Sequence, residues 1–189
     1  MDTQHASAAN PQQLELLSDE LRRSCERFLS VLGDVPEALR DMREAEGDWS
    51  IMECAEHICL AEELMSVSLR KRRPTDAAPD LERDGAVRKV ALDRSRKISA
   101  PPQARPAGRY QSLKGAADAF RACRERNIAF IESLGEDLRR STCLHPLGIF
   151  DSYQFIQIMA LHPERHASQI EQIKNSAAYR AALPAQELR

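Results

Sequence analysis

Apolar residues recur at three- and four-residue steps along most of this chain, the spacing of helices that each bury one face. Leu14, Leu17, Leu21, Cys25, Phe28 and Leu32 form the first stripe. It predicts a helix from about Pro11 to Leu32, with Pro11 suited to the first turn and Gly33 to the end. The second helix has the sharpest start, in Trp49-Ser50-Ile51-Met52-Glu53-Cys54. Ser50 serves as N-cap, Glu53 reaches back to the Ser50 amide, and Trp49 packs on Cys54 as a hydrophobic staple. This helix is expected to run to about Arg73 and stop before Pro74. A third spans about 112–134, with Leu113, Ala117, Phe120, Asn127, Ile131 and Leu134 inward and Gly135 closing it. The fourth opens on a second capping-box pair, Asp151 and Gln154, with Phe150 and Phe155 as its staple, and runs to about Asn175.

Residues 74–111 carry Pro74, Pro79, Pro101, Pro102 and Pro106 and no sustained stripe. They read as a long connection crossing the length of the bundle, with a short helix near Gly85 to Lys97. A second loop, Cys143 to Phe150, leads into the last helix. Beta-branched and aromatic residues never accumulate in alternating runs, so no strand is expected. The pattern describes an all-α four-helix bundle with one long crossover between its second and third helices. One domain over 11–178 is expected, with tails at 1–10 and 179–189, frayed after Leu183. No internal repeat is visible.

Composition narrows the function. With 42% hydrophobic residues, 30% charged and seven glycines, the chain belongs with folded helical proteins, not disordered or fibrous ones. A net charge of −2 gives no general attraction to nucleic acid. The run Arg70-Lys71-Arg72-Arg73 is more simply a solvated helix end. The N-terminal residues carry neither an apolar core nor early positive charge, and no apolar run is long enough to cross a membrane, which makes a cytoplasmic location the default expectation. The five cysteines (Cys25, Cys54, Cys59, Cys123, Cys143) form no CxxC pair and read as reduced, mostly buried thiols.

Chemistry enters with the histidines. His162 and His166 are four residues apart, which on a helix stacks both imidazoles on one face. Phe155, Ile158, Met159, Ile170 and Ile173 share that stripe or border it, so both rings point inward. His57 lies on the inward stripe of the second helix with Cys54, Ile58, Ala61 and Leu64. Three neutral imidazoles on a divalent ion leave a position for water or substrate. Spacing leaves a plainer alternative open, in which His57 is a core histidine bonded to a carbonyl and the HxxxH pair is coincidence. Other polar residues read more simply: Glu53 as a cap, Cys54 as a buried thiol, Arg165 as a surface ion-pair partner away from the histidine face. Glu164 does not follow the first histidine directly, so it does not match the HExxH zinc motif. His145 sits in a loop placed to cover the open end of the site, and Gln169 either bonds a metal-held water or satisfies a helix end.

The segment Trp49-Ser50-Ile51-Met52-Glu53-Cys54-Ala55-Glu56-His57-Ile58 resembles the "WS…E…H" element of the DinB-like superfamily, metal-dependent enzymes built on a four-helix bundle. Leu161-His162-Pro163-Glu164-Arg165-His166-Ala167-Ser168-Gln169-Ile170 resembles its closing "H…RH..QI" element, and His145-Pro146-Leu147-Gly148 is similar to loops before its last helix. The resemblance covers about residues 12–176. It implies a metal triad of His57, His162 and His166 holding a divalent ion, zinc or nickel foremost, that activates a thiol or a water in transferase, isomerase or hydrolase chemistry. Characterised relatives that use low-molecular-weight thiols such as bacillithiol or mycothiol point toward the thiol, and dimerisation is expected on the same ground. No nucleic-acid or membrane partner is expected. The competing reading is a non-catalytic metal-binding bundle with a stress-related structural or sensing role.

Pro163 departs from a regular helix. It lacks the amide that would bond the Met159 carbonyl, a cost of roughly 3 kcal/mol in a straight helix. Either the helix bends and keeps both histidines in register, the preferred expectation, or a shorter helix begins at Pro163 with His162 outside it.

Overall fold

The computed structural model describes residues 11–95, 97–134 and 138–183. The expected tail at 1–10, the closing Gly135 and the end beyond Leu183 lie outside the described residues. The four predicted helices are present as α1 (Pro11–Gly33), α2 (Ile51–Arg70), α4 (Leu113–Ser133) and α5 (Ser152–Lys174). α1 packs on α4 and α5, and α2 packs on the same pair, so α1 and α2 stand diagonally across the bundle. No described helix is long and apolar enough to cross a membrane.

The capping box at α2 forms in full. Ser50 Oγ accepts the Glu53 amide at 3.1 Å, and the Ser50 amide donates to Glu53 Oε2 at 2.7 Å. Ser50→Ala is expected to cost about 1 kcal/mol in urea denaturation, the usual worth of such a cap. The corresponding box at α5 forms by half. Asp151 accepts the Gln154 amide at 2.8 Å, but the Gln154 side chain donates to the Asp80 carbonyl at 2.8 Å and to Asp84 Oδ1 at 3.0 Å. Gln154 is buried against the crossover, where its amide finds partners better than its own helix end.

The crossover carries α3 (Glu82–Leu92), which starts three residues before the expected Gly85 and docks on α5 with Val87 buried. A turn at Pro102–Ala104 follows, and it bears on the site. After α5, a short α6 (Ala177–Ala182) buries Tyr179, so packed structure continues into the segment expected as a tail.

The expectation of no strand is corrected. β1 (Arg73–Pro74), β2 (Ser141–His145) and β3 (Gly148–Asp151) form a small antiparallel sheet in the order β1-β2-β3. Cys143 pairs with Phe150, both buried, while the neighbouring Leu144 and Ile149 are exposed. Gly148, with φ of 128°, closes the Pro146-Leu147 turn in a backbone conformation that L side chains rarely adopt. Strands of four and five residues are too short to show a period in sequence.

The interior divides into two apolar clusters separated by a polar level. Phe28, Ile51, Ile58, Phe120 and Ile170 belong to one cluster, and Leu17, Met65, Ile131, Phe155 and Met159 to the other. Between them lie Ser24 on α1, Glu62 on α2, Arg124 and Asn127 on α4, and the three histidines on α2 and α5.

Candidate metal centre

α5 runs unbroken through Pro163, which settles the choice posed by that residue in favour of one continuous helix. The missing amide is compensated from across the bundle, because the Met159 carbonyl accepts a hydrogen bond from Arg124 Nη2 at 2.9 Å. The Arg124 guanidinium is fully buried. Its Nε lies 2.9 Å from Glu62 Oε1, and its Nη2 donates to Glu62 Oε2 at 2.9 Å. Asn127 donates to the same carboxylate at 2.9 Å, and Ser66 donates to Asn127 at 2.7 Å. This buried network supports the turn of α5 that carries His162 and His166.

His57, His162 and His166 converge, with one ligand nitrogen from each within 4.8 Å of the others. His57 Nε2 and His162 Nε2 are 3.2 Å apart. Tetrahedral zinc with bonds near 2.1 Å places its nitrogens roughly 3.4 Å apart, so the donor set fits a divalent cation. In the absence of an ion the same distance suits a hydrogen bond between the two rings.

The tautomers point the same way. His57 Nδ1 lies 2.7 Å from the Ala104 carbonyl, which can only accept. The proton therefore sits on Nδ1, and Nε2 keeps its lone pair for the centre. His166 Nδ1 lies 3.0 Å from Gln169 Oε1, the same arrangement with a side-chain acceptor. Gln169 thus orients the His166 ring. Gln169→Leu is expected to weaken metal binding about 10- to 100-fold with the fold intact, measured by competition with a chelating indicator.

The Ala104 carbonyl is itself held in place by a residue that sequence reasoning passed over. Buried Glu56 accepts the Ala107 amide at 2.8 Å, the Gly108 amide at 3.0 Å and the Arg109 amide at 3.0 Å, fixing the crossover against α2. Nothing local in sequence announces a carboxylate whose partners lie fifty residues on.

Trp49 was expected on Cys54. Its ring packs with the apolar cluster that contains Cys54, but it also lies 4.6 Å from the His57 ring and 6.1 Å from the His166 ring and lines the same cleft. Burial pushes the His57 imidazole below its ordinary value, and pushes His162 and His166 well below theirs. Each ring is accordingly in the neutral form that binds metal. The thiols are held the opposite way, with Cys54 and Cys59 each pushed up to about 12 by burial. Buried Cys143 is raised for the same reason. None is a nucleophile at neutral pH.

Glu53 is a cap paired with Arg43 at 3.4 Å, and Glu164 pairs with Arg27 on the α1 side. Arg165 lines the cleft that holds the triad and donates to the Asp93 carbonyl. His145 ends β2 outside the triad and also lines the cleft, accepting the Leu147 amide at 3.2 Å with its ring beside Phe150 and Phe155. Burial lowers its pKa from 6.5 to about 4. The unfolded chain therefore takes up a proton near pH 6.5 that the folded chain accepts only near pH 4. Stability is expected to be full above that window and to fall as pH drops through it. Urea midpoints across the window should fall less steeply for His145→Gln.

The triad lies in a cleft of about 1340 Å³ that also reaches α3 and the β2-β3 hairpin. The family model of the DinB superfamily matches residues 20–170. An uncharacterized protein of Bacillus subtilis (strain 168), YuaE, is 31% identical over 152 residues, covering 79% of this chain and 91% of the relative.

Proposed function

Because the chain belongs to the DinB superfamily, we propose that it is a metal-dependent enzyme in which His57, His162 and His166 hold a divalent cation, zinc or nickel. The observation that carries this reading is the pair of Nδ1 contacts, to Ala104 and Gln169, which turn bare Nε2 atoms toward one point beside a cleft. Such a cation supplies Lewis acidity, favouring the deprotonated form of a thiol or a water and so a nucleophile at neutral pH.

The chain's own residues divide the remaining work. Burial of the rings keeps the histidines neutral, and the cleft that Trp49 lines with them admits a substrate. The cysteines stay protonated, so the nucleophile comes from outside the chain. A low-molecular-weight thiol is the favoured source and water the second, giving S-transferase or isomerase chemistry in the first case and hydrolysis in the second.

Cobalt-substituted protein separates these readings. Titration with a small thiol is expected to add a sulfur-to-cobalt charge-transfer band that saturates at one thiol per chain. A spectrum that shifts with pH but ignores thiols favours water. A spectrum indifferent to thiols and to pH across the neutral range means a closed site, and sinks the enzyme reading in favour of a non-catalytic metal-binding bundle.

A further inference from the structure

Nine large apolar side chains are left exposed among the described residues, and six of them, Val67, Val90, Ile98, Leu144, Leu147 and Ile149, line the cleft. Scattered exposed apolar residues need no explanation, but this concentration does. Leu144 at 73% and Ile149 at 61% face each other on adjacent strands of the hairpin. Leu81 and Leu16, of comparable exposure, lie off the cleft.

The cleft has a direction. His57, Ala61, Leu64, Ser68 and Lys71 line it at alternating four- and three-residue steps, so one face of α2 forms its floor from end to end. Fourteen residues separate His57 from Lys71, about 21 Å along the helix. The triad therefore occupies one end and Lys71 the other, with apolar side chains between. Arg73, at the start of β1, lines the same far end.

Charge distinguishes that end. Among the cations of the cleft, Lys97 pairs with Asp48 at 2.6 Å, Arg83 donates to the Ile149 carbonyl and covers the Phe150 ring, and Arg165 donates to the Asp93 carbonyl. The side chains of Lys71 and Arg73 have no hydrogen-bonded or ionic partner among the described residues. Asp48 is the cleft's acidic residue and is already matched by Lys97. An apolar cleft with two unmatched cations at its far end is complementary to an anion carried on a long apolar chain.

We infer that the cleft takes a single-chain anionic amphiphile, its anionic group at Lys71 and Arg73 and its apolar chain leading the reacting end toward the histidine triad. This rests on the proposed function for the meaning of the reacting end. It adds the class of the electrophilic substrate, an elongated carboxylate or phosphate ester.

The test is calorimetric titration of the full chain with tetradecanoate, tetradecanol, tetradecyltrimethylammonium and butyrate below their micelle concentrations, as purified and after chelation. Tetradecanoate should bind one per chain, at least about a hundredfold tighter than butyrate, because the buried methylenes supply most of the affinity. The alcohol should bind about tenfold more weakly than tetradecanoate, and the double variant Lys71→Glu, Arg73→Glu should lose about tenfold for tetradecanoate while gaining affinity for the ammonium amphiphile. An unchanged melting temperature in that variant establishes that it is folded.

Butyrate binding as tightly as tetradecanoate overturns the inference, as does a double variant that binds tetradecanoate like the wild type. Affinity that collapses on chelation but ignores the double variant places the anion at the triad, and also overturns it. Phosphatidylglycerol vesicles that retain the protein through Lys71 and Arg73, with no binding of free tetradecanoate, replace it with a membrane surface. Failure of the metal reading is separate, because it appears as absent metal with tetradecanoate binding intact.

Discussion

Glu62→Ala is expected to lower the unfolding free energy by about 3–5 kcal/mol, the largest stability loss of any single change considered. The carboxylate lies at 1% side-chain exposure against an Arg124 guanidinium equally buried, at 2.9 Å. Removing it leaves a cation inside the bundle with its strongest partner gone, and leaves the Asn127 amide with only the weak Cys123 sulfur acceptor. Desolvation of an unpaired charge, and not the worth of the pair itself, sets the size of the effect. The Arg124 side chain also serves the Met159 carbonyl that Pro163 leaves without an amide, so the damage should reach the α5 turn carrying the histidines. Urea denaturation measures it. A loss below about 1 kcal/mol would mean that water reaches the pair, since exposed pairs are worth no more than that.

His57→Ala is expected to weaken divalent-metal binding by more than about a hundredfold. Loss of an outer hydrogen-bonding partner alone costs about 10- to 100-fold, and removal of a ligand with its lone pair must exceed that. The variant keeps α2 intact, because the helix is held by its Ser50 cap and by Ile51, Ile58 and Leu69 on the same face. Competition with a chelating indicator reads the affinity and circular dichroism the fold. Equal affinity in the variant would leave His57 as a core histidine that bonds Ala104 and nothing more.

Much of this architecture was legible in the apolar period. α1, α2, α4 and α5 stand where their stripes place them, because each buries one face along five or six turns and the signal accumulates. The capping box of α2 was legible for a different reason, as a local pattern whose partners lie within three residues. The hairpin was not, since four-residue strands carry too little alternation. The histidines were legible as a pattern, and resemblance made them a candidate site. Their outer partners were half hidden, with Gln169 one turn away but Ala104 on the far side of the crossover.

The buried network was the least expected feature, although its trace was present. Arg124 sits between Phe120, Asn127 and Ile131 on the inward stripe of α4, and Glu62 sits between Ile58, Met65 and Leu69 on that of α2. Two opposite charges on two inward faces imply a buried pair, a reading masked by the usual solvation of charged helical residues. Pro163 is the counterpart on α5. In sequence it poses a question of bending, and an arginine about forty positions earlier satisfies the freed carbonyl.

Whether the triad binds an ion decides the proposed function. Native mass spectrometry of protein purified without a metal-affinity tag, after exposure to zinc or nickel and removal of excess, measures this directly. One divalent ion per chain is predicted for the wild type, and none for the variant His57→Ala, His162→Ala, His166→Ala. An ion retained in full by the triple variant, or a wild type that holds none, would contradict the assignment.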